Sequence, residues 1–167
     1  RTGPRPGPPP EQRRIKVLTQ KKTSVNSSFL TCIYFNADNL LCKRDELDSI
    51  IAIQEPDIIC ITEFAPKHTL TKVQESELQI DGYDICSNIN CCKRGVVIFV
   101  AKKLNMTPID FKKSADFEEN VWIEIKLKGR DKLLIGCIYR SPSSDTVNNA
   151  KLFAGLKKIC SLKKYSH

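Results

Sequence analysis

The sequence has no apolar run near the roughly 18 residues that cross a bilayer, and its first residues lack the basic-then-apolar order of a signal peptide. Nothing in it asks for a membrane partner or a secretory route, so an intracellular address, the nucleus included, is expected. It also has no C-x-x-C pair and only two histidines, His68 and His167, so its eight cysteines do not assemble a zinc set. Cys32, Cys60, Cys86 and Cys137 fall in apolar, strand-like runs, where a free thiol behaves as a small hydrophobe. The neighbours Cys91 and Cys92 read as loop residues sooner than as a redox pair.

At 167 residues, with 41% hydrophobic and 28% charged residues, the chain holds one ordinary domain's worth of core-forming material. The formal charge of +8 is unevenly spread. Residues 1–23 carry seven bases against one acid, and residues 151–167 carry five bases and no acid. The stretch between them has fifteen bases against eighteen acids, so the high pI belongs to the two ends. Basic ends of this kind either grip nucleic-acid phosphates by counterion release or are simply solvated.

Five of the nine prolines lie in the first ten residues, which excludes a lasting helix or ladder there. Residues 1–28 therefore read as a flexible, Pro-rich basic leader, and 29–167 as the folded part. Residues 29–35 form a strand that stops at the turn-favouring Asn36-Ala37-Asp38-Asn39. Over 43–54, Leu47, Ile50, Ile51 and Ile53 recur at near-helical spacing, and Pro56 closes the segment. A second apolar strand over 57–63 carries a carboxylate at each end, which completes a βαβ-like unit. Residues 64–82 read as a loop with one helical turn near 73–78. Further strands follow over 83–86, 95–101, 106–111, 120–127 and 132–139, with a hairpin turn at Gly129 between the last two. Leu152, Leu156 and Ile159 mark a closing helix over 145–162, with Phe153 beside them. Many short strands interleaved with helices predict an α/β architecture: a two-sheet β-sandwich flanked by helices.

Chemistry-bearing residues sit at strand ends. If the first two strands are neighbours, Asn36, Asp38 and Glu63 share one end of the sheet, and hard oxygen donors suit Mg²⁺, which takes one or two carboxylates and keeps several waters. The plain alternative is that Asn-x-Asp is ordinary turn chemistry and that Glu63 marks a solvated strand end.

Asn36-Ala37-Asp38, then Pro56-Asp57-Ile58-Ile59-Cys60-Ile61-Thr62-Glu63, then Trp122, and finally Leu134-Ile135-Gly136-Cys137-Ile138-Tyr139-Arg140-Ser141-Pro142 resemble the endonuclease/exonuclease/phosphatase superfamily. The branch they resemble is the apurinic/apyrimidinic-type endonuclease domain of non-LTR retrotransposons of the chicken-repeat and jockey kinds, across residues 30–162. The resemblance implies a Mg²⁺-dependent phosphodiesterase acting on duplex DNA through backbone contacts, with a reverse transcriptase in the parent polyprotein. By the same resemblance, Asn36 helps orient the scissile phosphate, Glu63 is the principal metal ligand and Asp38 a second carboxylate beside the metal. Tyr139 would contact the phosphate, and Arg140 would bring charge suited to a backbone phosphate. Without the family, Tyr139 reads as a strand-end aromatic packed on the sheet.

Two departures qualify these expectations. Where relatives have a glycine cluster, this chain reads Cys91-Cys92-Lys93-Arg94-Gly95 and keeps one glycine. The family's Gly-Asp-x-Asn and Ser-Asp-His motifs, which supply the water-activating aspartate and the transition-state histidine, do not occur; Tyr165-Ser166-His167 echoes only the second. The expectation is thus a domain truncated at its C-terminus, with an uncovered apolar face and weak or no activity alone. Two rivals stand beside it: a nonenzymatic nucleic-acid-binding remnant that uses its basic ends, and a fragment without selected function.

Overall fold

The computed structural model describes residues 29–67, 73–89, 94–110, 117–127 and 130–161. The leader over 1–28, the Cys91-Cys92 pair, both histidines and the turn at Gly129 lie outside the described residues.

Among the described residues, seven strands form two sheets. The first contains β1 (Cys32–Asn36), β2 (Ile58–Thr62), β4 (Val96–Ala101) and β3 (Tyr83–Ser87), in that order across the sheet. The second runs β5 (Met106–Ile109), β6 (Asn120–Lys126), β7 (Lys132–Ile138). The helices are α1 (Arg44–Gln54), the single turn α2 (Glu75–Leu78) and α3 (Thr146–Cys160), with a 3-10 turn at Leu41–Lys43 ahead of α1. This is the mixed two-sheet α/β arrangement expected from the pattern of runs. None of the helices among the described residues is long and apolar enough to cross a membrane.

Strands β1 and β2 run parallel, Cys32 opposite Ile58 and Asn36 opposite Thr62, with α1 as the crossover. Strand β4 runs antiparallel to β2, with Thr62 opposite Val96. The end at which β1 and β2 finish is therefore the end at which β4 begins. On the helix-bearing side, Ile33, Phe35, Ile59, Ile61, Val97 and Phe99 pack with Leu47 of α1 and Leu78 of α2. On the other side, Ile58, Cys60, Val96, Ile98 and Val100 meet Val121, Ile123 and Ile125 of β6 and Cys137 of β7. Burial on both faces makes β2 a run of buried residues, whereas β6 turns Val121, Ile123 and Ile125 to the first sheet, with Glu124 buried between the last two.

Several boundaries differ from the sequence reading. The first strand begins at Cys32 rather than residue 29, and α1 begins at Arg44. Ile53 is 83% exposed, one position off the stripe formed by Leu47, Ile50 and Ile51. On β1, an edge of its sheet, Cys32 and Tyr34 are exposed, so Cys32 does not join Cys60 and Cys137 in the core. α3 starts on an Asp145 cap, whose Oδ1 accepts from the Asn148 amide at 2.7 Å, and it buries Gly155 and Ile159 while leaving Phe153 exposed.

The Pro56-Asp57 signature has a structural explanation. The Asp57 carboxylate accepts from the Thr31 backbone amide at 2.7 Å and from its hydroxyl at 2.9 Å, and pairs with Lys103 at 2.6 Å. The Pro56 carbonyl accepts from the Tyr83 hydroxyl at 2.6 Å. These bonds tie the starts of β1, β2 and β3 together, at the end opposite Glu63. Gly136 on β7 lies across from Trp122 of β6, and a β-carbon there would run into the indole ring.

Candidate active site

Parallel pairing brings the segment after β1 alongside the segment after β2. The Ala37 amide donates to the Thr62 carbonyl at 2.8 Å, Asn39 to Glu63 at 3.1 Å and Leu40 to Phe64 at 2.9 Å. On the other flank the Glu63 amide donates to the Gly95 carbonyl at 2.9 Å, and the Ala65 amide to the Arg94 carbonyl at 2.9 Å. Three non-glycine residues here adopt left-handed backbone: Asp38 at φ 46°, Asn39 at 94° and Glu63 at 55°. Such conformations cost about 1–3 kcal/mol each and persist where surrounding bonds over-determine them, as this ladder does. Gly95, at φ 72°, packs against Phe64 so closely that a β-carbon would collide with the ring.

Four chain ends meet at this place. Asn36 and Asp38 come from the end of β1, Glu63 from the end of β2 and Arg94 from the approach to β4. Tyr139 comes from the end of β7, where its amide donates to the Glu119 carbonyl at 2.9 Å. The Asn36 side chain divides its two functions. Its Oδ1 accepts from the Asp38 amide at 3.1 Å, which leaves the NH₂ group to donate to the Glu63 carboxylate. The Tyr139 hydroxyl donates to the same carboxylate.

Burial alone would raise the pKa of Glu63, but the Tyr139 and Asn36 hydrogen bonds and the Arg94 charge outweigh it and hold the carboxyl below its usual range. Tyr139 moves the other way. Burial, its bond to Glu63 and the negative charges of Glu63 and Glu119 push its phenol up to about 12. Asp38 is lowered chiefly by its hydrogen bond to Arg94, with help from Lys67 at 3.3 Å. Both carboxylates are therefore ionised at neutral pH, and Tyr139 keeps its proton.

Among the residues singled out in the sequence, the structure brings Asn36, Asp38, Glu63 and Tyr139 together. Arg140 lies apart from them: its Nε donates to Asn149 Oδ1 on α3 at 2.6 Å, leaving the residue exposed beside Tyr139. The arginine at the carboxylates is Arg94. Its Nη2 sits 2.7 Å from Glu63 Oε2 and also pairs with Asp38 Oδ1, with the side chain only 15% exposed. Glu119, buried next to Tyr139, is a further acid that the sequence did not single out. The only available signal for Arg94 was a basic residue standing where a glycine is usual.

Among the described residues, no group of three or more histidine, cysteine, aspartate or glutamate side chains is clustered as for a metal ion. The donor chemistry nevertheless fits one. Two ionised carboxylates converge on a single point, and that point is marked by a positive charge, the Arg94 Nη2.

No protein-family model matches the chain, and no curated protein does. Among solved structures, the AP endonuclease LMAP from Leishmania major superposes with a TM-score of 0.53 at 15% sequence identity. The match covers 80% of this chain and 48% of that one. The fold is AP endonuclease-like. The chain spans about half the length of this structural relative.

Proposed function

We propose that the chain is part of a Mg²⁺-dependent phosphodiesterase domain that cleaves DNA, of the kind carried by non-LTR retrotransposons beside a reverse transcriptase. The observation carrying this reading is the convergence of Asn36, at the end of β1, and Tyr139, just after β7, on the Glu63 carboxylate that follows β2. An AP endonuclease-like fold and a nearby second carboxylate, Asp38, add support.

In this reading Glu63 and Asp38 hold the divalent ion, which when bound would withdraw charge from a phosphate oxygen. The chain's own residues position the substrate. Once Glu63 holds the ion, the Tyr139 hydroxyl, kept protonated by its surroundings, would turn its one proton from Glu63 to a non-bridging phosphate oxygen, and the second N–H of the Asn36 amide would be a further donor. Arg140, exposed one residue on, would meet the adjacent backbone phosphate. The Gly-Asp-x-Asn aspartate and the Ser-Asp-His histidine are not among these 167 residues. Without a residue to activate water, cleavage by these 167 residues is slow, and the cleavage that remains depends on Glu63. Losing one general base commonly costs ~100- to ~10,000-fold.

The test is nicking of supercoiled plasmid with Mg²⁺ by the full chain and by its Glu63→Gln variant, purified side by side. Nicking that the substitution abolishes supports the reading. Equal rates from the two proteins reject it.

A further inference from the structure

We infer that Arg94 is a tethered cation that fills the divalent-ion position of the candidate site, so that a metal enters only when the guanidinium swings out. Two observations carry this. One nitrogen, Nη2, contacts both carboxylates, at 2.7 Å to Glu63 Oε2 and in the closer pair with Asp38 Oδ1, which is where a bridging cation belongs. The other two nitrogens, Nε and Nη1, are buried without a hydrogen-bond partner among the described residues, so the guanidinium is fastened at a single corner.

A fork held by one prong is poorly satisfied. Arginine carries five N–H donors, and leaving buried ones unmade is costly, whereas rotation into solvent would hydrate them all. The closed arrangement persists because the buried Glu63 carboxylate would otherwise face the exposed Asp38 carboxylate with only Lys67 among the described residues, at 3.3 Å from Asp38, to offset the pair. A divalent ion supplies that compensation too, so arginine and metal compete for one seat. The backbone at Arg94 needs no special conformation, and its carbonyl is held by the Ala65 amide, so the side chain can leave without disturbing β4. Apparent metal affinity is then the intrinsic affinity reduced by the fraction of open molecules.

The inference rests on the proposed reading only for the choice of site, and its test reads binding rather than cleavage. Free Mn²⁺ is followed by electron paramagnetic resonance while the full chain, Arg94→Ala, Arg94→Gln and the double variant Arg94→Ala/Glu63→Gln are titrated. Arg94→Ala and Arg94→Gln should bind Mn²⁺ about tenfold more tightly or better, the factor expected if about nine molecules in ten are closed. The double variant should lose the gain. In the unsubstituted chain, saturating Mg²⁺ should shift the Arg94 Nε–H resonance toward that of a solvated arginine, a readout that needs no variant to fold. Equal affinities in the single variants and the parent, a gain that survives Glu63→Gln, or an Arg94 resonance unmoved by Mg²⁺ would each overturn the inference. A chain that never nicks DNA yet behaves as expected here would remove the proposed reaction and leave the tethered cation standing.

Discussion

The Tyr139 hydroxyl, which follows the second sheet, donates to the Glu63 carboxylate, which follows β2 of the first, across the end of the sandwich at which β1 and β2 finish. The polarity of this hydrogen bond is fixed by charge: Glu63 is ionised and acceptor-only, and the phenol must donate.

That bond gives the phenol a distinctive titration. Tyr139 should ionise near pH 12 in ultraviolet difference titration, and Glu63→Gln should bring it back toward the ordinary value of about 10. Its folded pKa is raised. The stability it contributes is therefore complete below the unfolded phenol's pKa and is lost as pH climbs toward 12. An unchanged alkaline titration in Glu63→Gln would show the two groups to be uncoupled.

Asp38 and Glu63 act at the opposite end of the scale. Both are depressed in the fold, so the unfolded chain binds protons more readily, and the stability they add is present above their ordinary values of 3.8 and 4.5 and lost as pH falls below them. Removing Arg94 takes away the main cause for Asp38 and a contributor for Glu63. Urea midpoints measured between pH 3 and 7 should therefore rise less steeply with pH in Arg94→Ala than in the parent. Parallel curves would count against the ion pairs.

Gly95→Ala should destabilise the fold by about 1–3 kcal/mol, since it combines a left-handed backbone with a collision against the Phe64 ring. The Gly95 carbonyl accepts from the Glu63 amide, so the variant should also weaken the Tyr139 shift. Chemical denaturation and the phenol titration together check both effects.

Asp57 offers the matching control at the far end of the strands. Asp57→Ala leaves the Thr31 donors unmet and should cost about 1–3 kcal/mol while leaving the Tyr139 titration where it was. Movement of that titration in Asp57→Ala would mean the two ends of the sheet communicate.

If the basic ends hold DNA, affinity for duplex should fall steeply with salt, and deleting residues 1–23, which remove seven bases and one acid, should flatten the slope. Fluorescence anisotropy from low to physiological salt reads both. A slope indifferent to the deletion would exclude the leader from binding.

The β1–α1–β2 unit was legible because its cues are local: a turn cluster after one apolar run, a helical stripe, and a proline before the next run. Asp57 and Glu63 looked alike as carboxylates flanking one strand, and only the parallel pairing separates them, sending Asp57 to a structural clasp and Glu63 to the polar cluster. Arg94 was illegible for the converse reason. It lies 31 positions after Glu63 and reaches it through the antiparallel register of β2 and β4, a long-range fact that neither segment states alone. Arg140 has the more suggestive sequence context, yet Asn149 takes its Nε.

Strands β2 and β4 are greasy on both faces, so sliding one past the other by a residue would exchange Val97 and Phe99 for Val96 and Ile98 without exposing anything polar. Hydrophobic alternation cannot police that alignment. The Gly95–Phe64 embrace can, because only a residue lacking a side chain fits against the ring. The same corner that seats the acids thus sets the threading of the interior, and a one-residue insertion there would be felt as misassembly of the whole sandwich before it was felt as altered chemistry.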